Sequence, residues 1–390
     1  MKILVSCTSG EDVAEAIARA RRDRLARAVR SGGHCFAGRS SVDGIVIDVS
    51  PMRSVSVSGD VVTVGAGARL GEIYESLAEH GLTIPAGSCP TVGIAGLTLG
   101  GGFGFLGRSR GLTCDSLLAA RVVLADGRTV DCDEQRDADL FWALRGAGGG
   151  QFGVVTSLTF RAGPTPPDTT FRLAWRPADA VKVIEAWQDW APDGPDELAA
   201  SLLLTEEGPV VFGSAAADLL DAFVAMAGVE PLSAAPFHEE LAFRDTFSKS
   251  GFFRRRVPAE ALVEHFYGER VPGQRRELDF TPWGGAYNRV PVRATAFAHR
   301  DARFLLKHSV TAVGDAREWL RRSHALAAPW GTGGVYPNFP DPSLTDWARA
   351  YHGVNYARLR RVKARYDPDG FFRFHQAIPP AEKVSTEIIR

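Results

Sequence analysis

Apolar positions recur along this chain with two different periods, and the changes of period mark out its elements. After Ser9, the apolar residues Val13, Ala16, Ile17 and Ala20 fall on one helical face. Ser9 with Asp12 three residues on is a capping signal, so a helix is predicted over residues 9–28, its end overlapped by a short strand about Leu25 to Arg30. IVIDVS reads as a second strand, and VSVSGDVVTV alternates on either side of Gly59 and Asp60 as a hairpin does. Leu70 to His80 has helical spacing and stops at Gly81. AARVVLADGRTVDC predicts another hairpin about Asp126 and Gly127, DLFWALRG a helix, and FGVVTSLTF a strand. Strands and helices mix without the regular alternation of a doubly wound sheet, which predicts an α+β fold.

The pattern breaks at GPTPP, residues 163–167, a segment unsuited to a strand ladder or a helix, and a domain boundary is placed there. Residues 166–345 predict a second domain. Its apolar runs ASLLLTE, PVVFG and RATAFAHRDARFLLKHSV, with a helix from Asp218 to Met226, suit a sheet covered by helices. From Trp347 a basic helix, YARLRRVKARY, runs to Asp367 and Pro368. Its Arg358, Arg360, Arg361, Lys363 and Arg365 lack interleaved aromatics for base stacking and read as a solvated face.

At 390 residues the chain has room for two domains, and 45 basic against 46 acidic side chains leave a net charge of -1. That balance argues against a nucleic acid or an anionic membrane as partner and favours a small neutral substrate. No secretion-type succession opens the sequence and no apolar run is long enough to span a bilayer, so a soluble, cytoplasmic protein is expected. Five cysteines without CxxC spacing, and scattered histidines, predict neither a disulfide framework nor a metal site.

Two glycine-rich loops hold the candidate chemistry: VRSGGHCFAG with His34 and Cys35, and PAGSCPTVGIAGLTLGGGFG with Cys89. Glycines let backbone N–H groups approach phosphate oxygens unobstructed. LGGGFG fails as a Rossmann fingerprint, having neither the spacing nor the acidic partner. Taken with LFWALRGAGGGQFGVVT and the terminal YHGVNYARLRRVKARYDPDGFFRFHQAIP, the two loops resemble the berberine bridge enzyme-like group of FAD-linked oxidases.

The resemblance implies a PCMH-type two-part FAD-binding domain, formed by residues 1–165 and 346–390, plus a substrate domain with an antiparallel sheet covered by helices. It implies FAD attached bicovalently, through His34 and Cys89 rather than Cys35. Two attachments at the benzenoid end withdraw electron density and favour hydride acceptance at N5. Matched positions in the loops, Arg30, Ser31, Gly32, Gly33, Cys35, Gly38, Ser88, Val92, Gly93, Gly96, Gly101 and Gly102, together with Gly153 and Val155, are carried over as cofactor-binding. Asn355 and Gln376 are carried over from the tail. Val92 resembles a small gatekeeper associated with access of oxygen, which favours an oxidase. VYPNFPD matches a YxNYxD-like segment and puts Tyr336 at the base position, with Phe339 where a second tyrosine is usual. A phenol acting as base needs its phenolate stabilised by a cation, a hydrogen bond or the oxidised flavin nearby, and His299, Arg300, Lys307 and His308 are the unranked candidates. The amino terminus begins later than is usual for the group, so that an opening strand and helix are expected to be absent.

The implied reaction is oxidation of an alcohol, a sugar or a natural-product intermediate, with molecular oxygen as acceptor and hydrogen peroxide as product. A flavin-dependent dehydrogenase or oxidative cyclase is the nearest competing reading. A metabolite-binding protein that keeps flavin as a structural element is a third.

Overall fold

The computed structural model describes residues 2–166, 170–235, 246–268, 270–311 and 313–382. Ile3–Ser6 and Arg27–Arg30 both pair parallel with the fully buried central strand Ile45–Asp48. The helix Gly10–Arg22 covers this small sheet and buries the expected face, Val13, Ala16, Ile17 and Ala20. Its capping box forms between Ser9 and Asp12. The helix is shorter than predicted because Arg24 takes a left-handed φ of 51° and the following residues join the strand ladder.

A five-stranded antiparallel sheet follows, in the order Val55–Ser58, Val61–Gly65, Val154–Arg161, Leu117–Val123, Thr129–Asp133. Both predicted hairpins are present, each turning on a glycine with positive φ, Gly59 and Gly127. The helices Leu70–Ala78, Ala138–Leu144 and Tyr356–Tyr366 contribute Ile73, Phe141 and Leu359 to one hydrophobic core with these sheets. The tail helix therefore returns to the first half of the chain. Its basic run is only partly solvated: Lys363 is buried, 2.7 Å from Asp367 and bonded to the carbonyls of Phe372 and Gln151.

GPTPP behaves differently from expectation. Gly163 and Pro164 form a separate two-stranded antiparallel ladder with Leu82 and Thr83. A two-residue edge pairing tolerates the missing proline N–H that a central strand would need. Pro167, at the end of that segment, lies outside the described residues.

Beyond it a seven-stranded antiparallel sheet runs Ser233–Ala235, Thr170–Ala174, Gly208–Ser214, Ala199–Thr205, Arg276–Pro282, Phe304–Thr311, Thr246–Phe253. Helices Ala180–Trp190, Ala217–Ala227, Ala259–Tyr267 and Ala316–Ala327 pack on one face and build a second core with Leu202, Leu278, Phe280 and Leu306. Alternation along each strand sends Ser201, Asp279 and Lys307 to the opposite face, where they line a cavity. Of RATAFAHRDARFLLKHSV only Phe304 onward is strand. Ala296 and Phe297 instead hydrogen-bond the carbonyls of Trp142 and Arg145 in the first half of the molecule. This α+β arrangement leaves the cavity between the seven-stranded sheet and the glycine-rich loops. Among the described residues no helix is long and apolar enough to cross a membrane.

Candidate active site

The strand Arg27–Arg30 delivers the first loop, and the second runs into the short helix Ile94–Leu99. They meet backbone to backbone at Gly32 and Gly93. A Cβ on Gly32 would stand 2.3 Å from the Gly93 nitrogen, and one on Gly93 2.4 Å from the Gly32 nitrogen. Only glycine permits that approach. Ser31 Oγ donates to Ala66 O at 2.7 Å, and Leu70 N donates to Val92 O at 3.0 Å, so both loops are pinned to the same stretch of chain.

Thr91 brings the two reactive side chains together. Cys89 Sγ lies 3.4 Å from Thr91 Oγ1, and the His34 ring is hydrogen-bonded to the Thr91 backbone. Burial lowers the His34 pKa, against the Thr91 bond and with the help of Arg69, so the ring is neutral near pH 7. A neutral imidazole keeps a lone pair on one nitrogen, the form in which it acts as a nucleophile.

Both side chains line one cavity of about 1420 Å³. A single drug-sized ligand fills about 300–1,000 Å³, so this space suits a large cofactor and a substrate together. Ser31, Gly32, Gly33 and Cys35 line it from the first loop, Ser88, Val92, Gly93 and Gly96 from the second, and Gly153 and Val155 from the segment opening the strand Val154–Arg161. Arg30, Gly38, Gly101, Gly102, Asn355 and Gln376 are not on its wall. Arg30 Nε bonds Ser40 O, and Gly38, with φ of 67°, closes the loop by donating to Cys35 O. Asn355 spends its amide on the carbonyls of Val292, Thr295 and Ala296, which fastens the crossing segment instead of meeting a ligand. Gln376 donates to Asp341 O and Leu344 O and accepts from Arg39 at 2.7 Å. Arg39, absent from the sequence-based candidates, thereby brings a guanidinium to the wall, stacked over Phe374.

Tyr336 lines the cavity but is only 1% exposed. Its oxygen accepts from Gly102 N at 2.9 Å and from Asn338 Nδ2 at 3.1 Å. Gly102 thus serves through Tyr336, and Asn338, also missed, is braced by a second bond to Leu97 O. Burial raises the phenol pKa, while the Asn338 and Gly102 bonds pull it down. The four candidate cations are committed elsewhere. Arg300 forms a two-pronged pair with Asp115 at 2.7 and 2.8 Å, and Lys307 lies 3.1 Å from Asp279. His299 bonds Tyr351 O, and His308 bonds Ser323. Burial drops the His299 pKa to about 4 and takes that of His308 well below its usual value. On balance burial holds the phenol above its ordinary pKa, and of the stabilisers expected for the phenolate the described residues supply hydrogen bonds, from Gly102 and Asn338, in place of a cation. Phe339 packs edge-on against Tyr336 at 5.0 Å and offers no second hydroxyl.

Comparison with known proteins decides the family. A family model for an FAD binding domain matches residues 1–133, and one described as berberine and berberine like matches 335–379. The chain is 36% identical to the uncharacterized FAD-linked oxidoreductase YgaK of Bacillus subtilis, over 98% of this chain and 92% of that one. It belongs to the berberine bridge enzyme-like FAD-linked oxidoreductases. Among solved structures, a berberine bridge enzyme-like protein of Physcomitrella patens matches with a TM-score of 0.89 and 27% identity, covering 97% of this chain and 92% of that one. A glucooligosaccharide oxidase of Acremonium strictum, whose structure is described as revealing a novel flavinylation, matches with a TM-score of 0.87 and 27% identity, covering 98% and 92%.

The cavity of this berberine bridge enzyme-like chain fits FAD by an independent criterion. A Cβ on Gly33 or Gly96 would meet nothing within 4 Å, and one on Gly148, Gly149 or Gly150 would meet nothing nearer than 3.8 Å. All five line the cavity. Side chains there would project into the space a dinucleotide needs. Gly148 to Gly150 were visible in the sequence only as part of GAGGGQFG.

Proposed function

We propose that this FAD-dependent oxidoreductase is an oxidase holding its flavin by two covalent bonds, from His34 and Cys89, and converting a carbinol to a carbonyl with molecular oxygen as acceptor. The observation that carries the proposal is the meeting of both nucleophiles at Thr91, on the wall of the cavity that Tyr336 also lines. The segments 1–165 and 346–390 hold the cofactor in this reading, and residues 166–345 supply the substrate wall. Bound there, FAD would supply the two-electron acceptor for the hydride of the substrate carbon, with oxygen as the final acceptor.

The chain's own residues do the rest. Ser31 to His34 and the open glycines receive the cofactor without side-chain obstruction, and Val92, on the same wall, is the small residue this reading assigns to the approach of oxygen. Tyr336 takes the hydroxyl proton of the substrate, and the Gly102 and Asn338 donors stay in place to stabilise the phenolate. The alcohol loses one hydride and one proton, and oxygen takes up two electrons and two protons to leave as hydrogen peroxide. The substrate is an alcohol, a sugar or a natural-product intermediate. Across a panel of these, one peroxide should appear per carbonyl formed. Carbonyl formed without peroxide, and only when an artificial electron acceptor is added, would instead identify a dehydrogenase.

A further inference from the structure

Charge on the cavity wall is sorted by side. Among the described residues, the carboxylates that line it are Glu277 and Asp279 on the seven-stranded sheet, and Glu206 and Glu207 on the turn between two of its strands. The wall built by the glycine-rich loops and the tail carries no carboxylate, and its arginines are Arg27, Arg39, Arg108 and Arg373. Three of these are engaged or hydrated. Arg108 bonds the carbonyls of Ala191 and Gly194, Arg27 bonds those of Leu25 and Phe371, and Arg373 is exposed to water.

Arg39 differs from them. It is half-buried, and its partners are neutral: Gln376 Oε1 accepts from it at 2.7 Å, the Tyr351 hydroxyl bonds it, and the face of Phe374 lies 4.7 Å from its guanidinium. Burial pulls its pKa below the ordinary value, and no carboxylate among the described residues opposes that pull. The group is also held in place. Gly38, with φ of 67°, turns the loop just before it, and Gln376 is itself fixed by the carbonyls of Asp341 and Leu344. Phe374 reaches on to the open stretch Gly148 to Gly150, where a Cβ on Gly150 would stand 3.8 Å from its ring.

We propose that Arg39 is the counter-charge of the FAD pyrophosphate. The inference rests on FAD occupying the cavity, and it is independent of whether His34 and Cys89 bond the ring or oxygen accepts the electrons. The oxidised flavin ring is neutral, so the pyrophosphate is the group of FAD that a half-buried cation without a carboxylate attracts. Backbone N–H groups of the glycine-rich loops offer partial charges, whereas Arg39 offers a whole one on a planar fork that matches phosphate oxygens. The opposite wall, with its carboxylates, would repel the same group.

Phosphorus NMR of the flavin-loaded protein reads this contact directly. In Arg39→Gln at least one pyrophosphate resonance should move by more than its linewidth, while the visible flavin spectrum keeps its shape. In a His34→Ala/Cys89→Ala background, where FAD exchanges, Arg39→Gln should raise the FAD Kd by about ten- to hundredfold, and Arg39→Lys should recover part of that loss. Thermal unfolding of the flavin-free variants shows that each folds, and Arg39→Lys carries the NMR comparison if Arg39→Gln does not load. Unmoved phosphorus resonances would overturn the proposal whatever the affinity, since a change in Kd alone would mark a residue that only supports the loop. An unaltered Kd would overturn it as well. So would still phosphorus lines with a shifted visible spectrum, which would place Arg39 at the flavin ring. Release of FAD from the unaltered protein on denaturation would defeat the covalent reading instead, and these comparisons would still judge Arg39.

Discussion

The Tyr336 oxygen is held by the Gly102 N–H and the Asn338 amide, two donors of unequal fate under mutation. The backbone donor stays whatever side chain changes, whereas Asn338→Leu removes the other. That amide bond lowers a phenol pKa already raised by burial, so its loss raises the pKa further. A base must be deprotonated to act, and the rising limb of kcat/KM against pH should therefore move to higher pH in Asn338→Leu, with a rate loss of about tenfold or more at neutral pH. An unmoved limb would show that the amide merely packs. Tyr336→Phe should lower kcat by roughly 10² to 10⁴ while leaving ligand binding largely intact. The tyrosine was legible from VYPNFPD, but its partners were not. Gly102 comes from a distant loop, and Asn338 looks like an ordinary loop residue until its bond to Leu97 O shows it braced against the helix Ile94–Leu99.

Elements whose signals are local were read closely from sequence. The Ser9 capping box, the hairpins at Gly59 and Gly127, and the helix Leu70–Ala78 need only neighbours a few residues away. The order of the seven-stranded sheet was hidden, because pairings such as Ala199–Thr205 with Arg276–Pro282 join strands far apart in the chain. The same limit hid Arg39, whose guanidinium is placed by Gln376. The glycine-rich loops were legible as loops, yet the different work of their glycines was not. Gly32→Ala should disrupt the junction of the two loops, since its Cβ would meet the Gly93 backbone, and lower the unfolding midpoint. Gly96→Ala should do the opposite for the flavin-free protein, raising stability by about 0.5–1 kcal/mol because it is a helical glycine with open space around it. Its methyl group projects into the cradle, so flavin content on purification should fall. Equal effects of the two substitutions on stability would contradict this division of labour.

At the scale of the molecule, two cores face each other across the cavity, and segments near the tail fasten one to the other. Two buried histidines lie there. His299 is bonded to Tyr351 O, and His352 is stacked on Tyr356. Burial lowers their pKa values to about 4 and about 3. Unfolded, each would titrate near the ordinary value of 6.5, so the unfolded chain binds more protons below that pH. Their contribution is complete above pH 6.5 and is lost as the pH falls toward 4 and 3. The thermal midpoint should drop across that window, and less steeply in His352→Phe. The broad fold and the cofactor were legible from two loops and a returning tail, whereas the substrate wall took shape only when distant strands came together. The central claim, that His34 and Cys89 both bond the flavin, is tested most directly by mass spectrometry of the acid-denatured protein. Unaltered protein should retain one FAD. His34→Ala and Cys89→Ala should each still retain it through the remaining bond, and the double variant should lose it. Release of FAD from the unaltered protein on denaturation would contradict the account.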